Sequence, residues 1–254
     1  MKLGIIGCGA IGTDVALAAD KMKDIENIYL YDKDIEAKKK LLKKLKKGKI
    51  ATVEELIKNS DAVFEAASQQ AVKEYGKMVL SAGKDLMIMS MGALFDNELW
   101  NDLIETAKKK GCKIYLPSGA ICGVDGIAAA KTGGLDEVTL VTTKPPESLG
   151  RSDEKRMVVF EGSAREAVKL FPRNINVAAC VSLAGIGFDR TKVEIVSDPV
   201  VTRISHKILA HGKFGRLRAE IENMPNPNNP KSSYMASLSA ISILRRLVDP
   251  VQIG

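Results

Sequence analysis

Histidine is nearly absent from this chain: His206 and His211 are the only two in 254 residues. Five positions apart, they fall on opposite faces of a strand, or about 140° apart on a helix, so they form no paired metal site. Cysteine is almost as sparse. Cys8, Cys112, Cys122 and Cys180 contain no C-x-x-C pair, which argues against a zinc cage or a disulfide framework and fits reduced thiols. No apolar run approaches the roughly 18 residues of a membrane span, and the N-terminus has no signal-peptide pattern. A cytoplasmic protein without membrane contact is expected. The G-x-S-x-G elbow, H-E-x-x-H and the P-loop are all missing, so hydrolase and kinase readings lack their residues.

Charge is not scarce, and its formal balance is +7. The densest stretch, KKKLLKKLKKGK over residues 38–49, places Leu41, Leu42 and Leu45 at helical spacing. It predicts an amphipathic surface helix. No aromatic residue interleaves with the lysines as a base-stacking surface requires, so nucleic acid is not an expected partner.

The chain opens with an apolar strand over residues 2–6 and continues Gly7-Cys8-Gly9-Ala10-Ile11-Gly12 into a helix. A second strand follows and ends at Asp32, 20 positions after Gly12. Strand, glycine turn, helix, strand and acid in that order form a dinucleotide-binding fingerprint. Gly7 makes the tight turn, Gly9 lets backbone approach a pyrophosphate, and Gly12 lets helix and strand pack closely. Ala10 and Ile11 open the helix whose free N–H groups face the phosphates. Asp32 suits the ribose 2′-hydroxyl of NAD, whereas Lys33 beside it suits the 2′-phosphate of NADP. NAD is the expected cofactor, with NADP open.

Strands and helices then alternate to about residue 116, which predicts a doubly wound parallel sheet. After Pro117 the pattern changes to a glycine-rich helix entry and a further set of strands. Ser163 and Glu166 have the spacing of a capping box; Asn174 and Asn176 precede an apolar helical stretch. A final helix is expected with Asn229 as N-cap and Pro230 at its first position. The expected organisation is α/β: a Rossmann domain over 1–120, a smaller mixed α/β domain over 121–228, and a C-terminal helix over 229–254 that returns to the first domain.

Two residues leave alternatives open. His206 shares a strand face with Ile204, Ile208 and Ala210, so it is either a histidine at the edge of a core or a general acid/base. Glu65 ends a strand and reads as a cap on the next turn more readily than as a substrate contact.

The blocks FEAASQQAVKEYG, SMGALFD, PSGAICGVDGI, FEGSAREAVKLFPRNINVAA and NPKSSYMASLSAISILR occur in this order, and through them nearly the whole chain resembles the L-aspartate dehydrogenases. The resemblance implies NAD(P)-dependent oxidation of L-aspartate to iminosuccinate, which hydrolyses to oxaloacetate and ammonia or passes to quinolinate synthesis in NAD biosynthesis. It also implies a homodimer. By motif, Ala120 in PSGA and Asn176 in NINVAA match cofactor contacts near the nicotinamide. His206 in ISHKIL matches the catalytic histidine, and Asn229 in NPKSS a polar active-site residue. One departure lies in VTTKPP, where Thr143 replaces the arginine that often precedes the lysine; Lys144 remains as the candidate for a substrate carboxylate. A relative acting on homoserine or dihydrodipicolinate, or an NAD-sensing regulator without activity, is the alternative.

Overall fold

The structure is a computed structural model and describes residues 1–171 and 175–251, with the backbone only at Ile175 and Lys231. Asn174 lies outside the described residues. The chain divides into two compact units, one made of Met1–Pro117 and the stretch from Ser237 on, the other of Ser118–Ala236.

The first unit begins with β1 (Lys2–Ile6), α1 (Ala10–Lys21) and β2 (Asn27–Tyr31). It continues through α2 (Ile35–Leu42), β3 (Gly48–Ile50), α3 (Val53–Asn59), β4 (Ala62–Glu65) and α4 (Gln69–Ser81). β5 (Asp85–Ile88), α5 (Asn97–Lys110) and β6 (Ile114–Tyr115) complete the run. The strands form one parallel sheet in the order β3-β2-β1-β4-β5-β6. Leu3, Ile5, Leu30, Phe64 and Ile88 are fully buried, the continuous apolar character of strands covered on both faces. The strand order reverses between β1 and β4, and a ligand crevice forms at the carboxyl ends of such a pair.

The lysine run corrects its expectation. Helix occupies only Ile35–Leu42, with Asp34 accepting from the N–H groups of Glu36 and Ala37. Asp20 then takes the N–H groups of Lys46 and Lys47, and Lys47 carbonyl accepts from Ile28. Those bonds turn the chain into β3, so half of the predicted helix is turn and strand.

The second unit contains α6 (Val124–Gly133), β7 (Leu135–Lys144), β8 (Met157–Ser163), α7 (Ala164–Leu170) and α8 (Ile175–Ala184). β9 (Lys192–Ser197), β10 (Ile204–Gly212), β11 (Gly215–Asn223), β12 (Pro225–Asn226) and β13 (Asn229–Ser233) follow. Its main sheet, β11-β10-β7-β9-β8, is mixed: β7 and β9 are parallel and the other neighbours antiparallel. Val138, Leu140, Thr142 and Lys144 alternate into the buried face of β7; α6 packs on β7 and β10, and α7 on β8 and β9. The Ser163–Glu166 capping box forms as its spacing predicts.

Asn229 is not a helix cap. Asn226 Oδ1 accepts from the N–H groups of Asn228 and Asn229, a side-chain turn that folds β13 back on β12. Extended backbone through residue 233 is therefore hydrogen-bonded before any helix begins, and α9 spans Tyr234–Arg246. From Ser237 on this helix belongs to the first unit, where buried Ser237 donates to Asp14 on α1 at 2.6 Å. The α/β class and the doubly wound sheet with a second mixed sheet are those the sequence predicts. No helix among the described residues is long and apolar enough to cross a membrane.

Candidate active site

In the first unit the glycine turn leaves β1 and enters α1. Gly7 has φ +103°, and a Cβ there would lie 2.7 Å from the backbone of Ala66 and Ala67. A Cβ at Gly12 would come within 1.9 Å of Gly7 carbonyl oxygen, whereas one at Gly9 would meet nothing within 4 Å. Two of the glycines are thus required by the fold, and the third leaves open space. Side chains cap the starts of α2, α3, α4, α5 and α7, but α1 starts at Gly9 with no side-chain cap. The first N–H groups of α1, from Ala10, Ile11 and Gly12, remain for a ligand anion.

Asp32 joins this turn. Its carboxylate accepts from Cys8 N at 2.6 Å and from Asp34 N at 2.9 Å, which fixes the side chain while lone pairs remain for a ribose hydroxyl. Lys33 is engaged elsewhere, with Nζ 3.0 Å from Glu74 on α4. Lys38 Nζ stands 5.4 Å from the ring centroid of Tyr31. Cys8 is not a nucleophile, because burial and the Asp32 charge push its thiol up to about 12. An open space at Gly9, an uncapped helix start and a held acid fit a nicotinamide dinucleotide.

Glu65, at the end of β4, is a structural tie. Its carboxylate accepts from the N–H groups of Ala67, Ser68 and Ser90 and from the Ser90 hydroxyl. It thereby fixes the backbone that packs on Gly7. Burial nonetheless pushes its pKa up, against the hydrogen bonds that lower it.

The second unit carries a separate polar cluster on the buried face of its sheet. His206 on β10 pairs in register with Thr142 on β7, and Thr142 Oγ1 lies 2.9 Å from His206 Nδ1. Lys144, two residues beyond Thr142 on the same face, is also buried. Burial above all, then the Lys144 charge, drives the His206 pKa down to about 4; burial likewise lowers that of Lys144. His206 is therefore held as a neutral imidazole at neutral pH, with Nδ1 beside the Thr142 hydroxyl. His211 is on the other face, exposed and 2.8 Å from Glu137.

Asn223, which sequence reasoning passed over, links further candidates. It is buried at the end of β11, donates to Ala120 carbonyl oxygen at 3.0 Å and accepts from the Ser233 hydroxyl. Ala120's turn and β13, which begins with Asn229, are joined through this one amide. The register Ile204↔Asn223 and His206↔Ile221 sets Asn223 one pair further along the His206 face. Asn176 stands exposed in the first turn of α8. Thr142 was missed as well, although it is the polar member of the inward phase Val138, Leu140, Thr142, Lys144. Among the described residues no cluster of three metal-ligating side chains occurs.

Two family profiles match the chain: "Aspartate dehydrogenase, C-terminal" over residues 125–247 and "Homoserine dehydrogenase, NAD binding domain" over residues 7–117. L-aspartate dehydrogenase of Methanosarcina barkeri is 47% identical over all of this chain and 99% of its own length. The L-aspartate dehydrogenase of Methanothermobacter thermautotrophicus is 42% identical over all of this chain and 98% of its own. Among solved structures, aspartate dehydrogenase from Thermotoga maritima superposes with a TM-score of 0.83 at 31% identity, covering 100% of this chain and 99% of that one. A dihydrodipicolinate reductase from Paenisporosarcina aligns at a TM-score of 0.55 and 14% identity, over 96% of this chain and 94% of its own. That likeness is one of fold alone.

Proposed function

We propose, from the premise that this chain belongs to the L-aspartate dehydrogenase family and is an oxidoreductase, that it oxidises L-aspartate to iminosuccinate with NAD, His206 acting as the base. The observation that carries the role of His206 is its state: a buried, neutral imidazole with one nitrogen held by Thr142. Gly9, the first N–H groups of α1 and Asp32 would hold the nucleotide; Ala120 and Asn176 are read as contacts near its nicotinamide. When bound, the cofactor accepts a hydride from the substrate α-carbon.

The protein's own residues handle protons and charge. A protonated ammonium has no lone pair to form C=N, so the amine must be neutral before the hydride leaves. Nε2 of His206 takes that proton. Once that proton has passed to solvent, the same nitrogen takes one from the water that attacks the iminium carbon, and the carbinolamine so formed collapses to oxaloacetate and ammonia. General base work of this kind contributes about 10²- to 10⁴-fold. Lys144, whose charge acts on His206, is read as the partner of one substrate carboxylate, and Asn229 as a second polar contact. Binding a carboxylate there also removes the charge that disfavours imidazolium, so the substrate itself makes His206 a better base.

Two observations support NAD over NADP: Asp32, read as the ribose contact, is held by the N–H groups of Cys8 and Asp34, and Lys33 is paired with Glu74. Iminosuccinate hydrolyses readily, and we read its use as supply to quinolinate and NAD biosynthesis, by hand-off to quinolinate synthase. We also read the protein as a cytoplasmic homodimer. The test is NADH formation with L-aspartate, with homoserine, glutamate and NADP in parallel. Turnover specific to L-aspartate and NAD is expected, and His206→Ala should lower kcat about 10²-fold or more while NAD affinity holds. A preference for homoserine, or a His206→Ala variant that keeps full kcat, overturns this reading.

A further inference from the structure

The Thr142–His206 contact has a chemical consequence beyond holding a ring in place. An imidazole serves as a base at Nε2 only when its proton sits on Nδ1, and the partner of Nδ1 selects that tautomer. In this fold the partner is a hydroxyl, which rotates to donate or to accept. The backbone register sets Thr142 directly opposite His206 across β7 and β10, so the pairing is imposed by the sheet.

We propose that Thr142 is a positioning residue for the reaction: its Oγ1 accepts the Nδ1 proton of His206 and so leaves the Nε2 lone pair for the substrate ammonium. This deepens the reading of His206 as the base and rests on it. Among the described residues no carboxylate bonds this ring to do the same work. Ile127 of α6, Ala167 of α7, Ala178 and Cys180 of α8, Ile195 of β9 and Ile221 of β11 are the side chains of the elements around this face. Cys180 is a neutral thiol, pushed up to about 12 by burial, and Lys144 is the charge acting on His206. A threonine hydroxyl carries no charge. It therefore fixes the tautomer without raising the ring's basicity as a carboxylate partner does, and the basicity is left to the substrate carboxylate that meets Lys144.

The test exploits the shortage of histidine. With only two imidazoles in the chain, ¹⁵N-histidine labelling resolves the His206 ring nitrogens without activity as a readout. Wild-type protein should show the Nδ1–H form at neutral pH, and Thr142→Val, of the same shape, should shift the ring to Nε2–H. Thr142→Val should also lower kcat about 10²-fold with the KM for NAD unchanged, and Thr142→Ser should restore both the tautomer and most of kcat. An Nε2–H ring in the wild type overturns the proposal, even if the valine variant fails to fold. So does a valine variant that keeps the wild-type tautomer and kcat. An active His206→Ala protein would instead defeat the assignment of the base, a different failure that the tautomer spectrum does not share.

Discussion

His206 shows how a single burial decides both chemistry and stability. Its pKa of about 4 in the folded protein lies below the ordinary 6.5, so between those values the unfolded chain binds a proton that the native state refuses. The stability it allows is complete above about pH 6.5 and falls as pH drops toward 4, by on the order of 3 kcal/mol in all. Urea unfolding at stepped pH should show this slope in the wild type and lose it in His206→Gln. Glu65 runs the opposite way, since a raised carboxyl pKa favours the fold as pH falls, and it cancels in the comparison. At this scale the sequence was legible where a residue's neighbours are close in the chain. The phase of Ile204, Ile208 and Ala210 set His206 on the core side of its strand while leaving its role open, and strand-end position favoured Glu65 as a cap. Thr142 and Asn223 were illegible because their partners, His206 and Ala120, are 64 and 103 positions away.

The turn between β1 and α1 separates two jobs of glycine within six residues. Gly9 has an ordinary φ of −69° and open space beyond it, so Gly9→Ala should leave the melting temperature unchanged. In the proposed reading Gly9 is where the pyrophosphate approaches, so the added methyl group should weaken NAD binding about tenfold or more. Gly12→Ala places its methyl against Gly7 carbonyl oxygen and should destabilise the unit by about 3 kcal/mol. Calorimetry of both variants with and without NAD separates the two effects; equal losses of stability would contradict the distinction. Elements bounded by local chemistry, such as β1, α1 and the capped α7, were readable from residue order. Those bounded by distant side chains were not: Asp20 holds the end of the lysine run as it turns into β3, and Asn226 holds the turn before residues 229–233.

For the whole molecule, the proposed homodimer is the reading to test. On the sheet face of the second unit away from its helices, exposed Leu209 sits among ion pairs of both signs, Glu137 with His211 and Lys192, and Lys207 with Glu220. Arg216, opposite His211 in the register, is exposed on the same face. Sedimentation should give about twice 27.4 kDa, a value that a monomer would contradict. The doubly wound sheet and the change of style after Pro117 were readable because periodicity and glycine placement are spread along the chain. The return of α9 to the first unit has one more outcome, in time. During synthesis the nucleotide-binding strands emerge first, yet Asp14 waits 223 positions for Ser237. The unit that begins the chain is therefore among the last parts to be finished. A nascent chain halted before Ser237 holds the whole second unit but lacks the partner of Asp14, and it should hold NAD poorly until the last helix arrives.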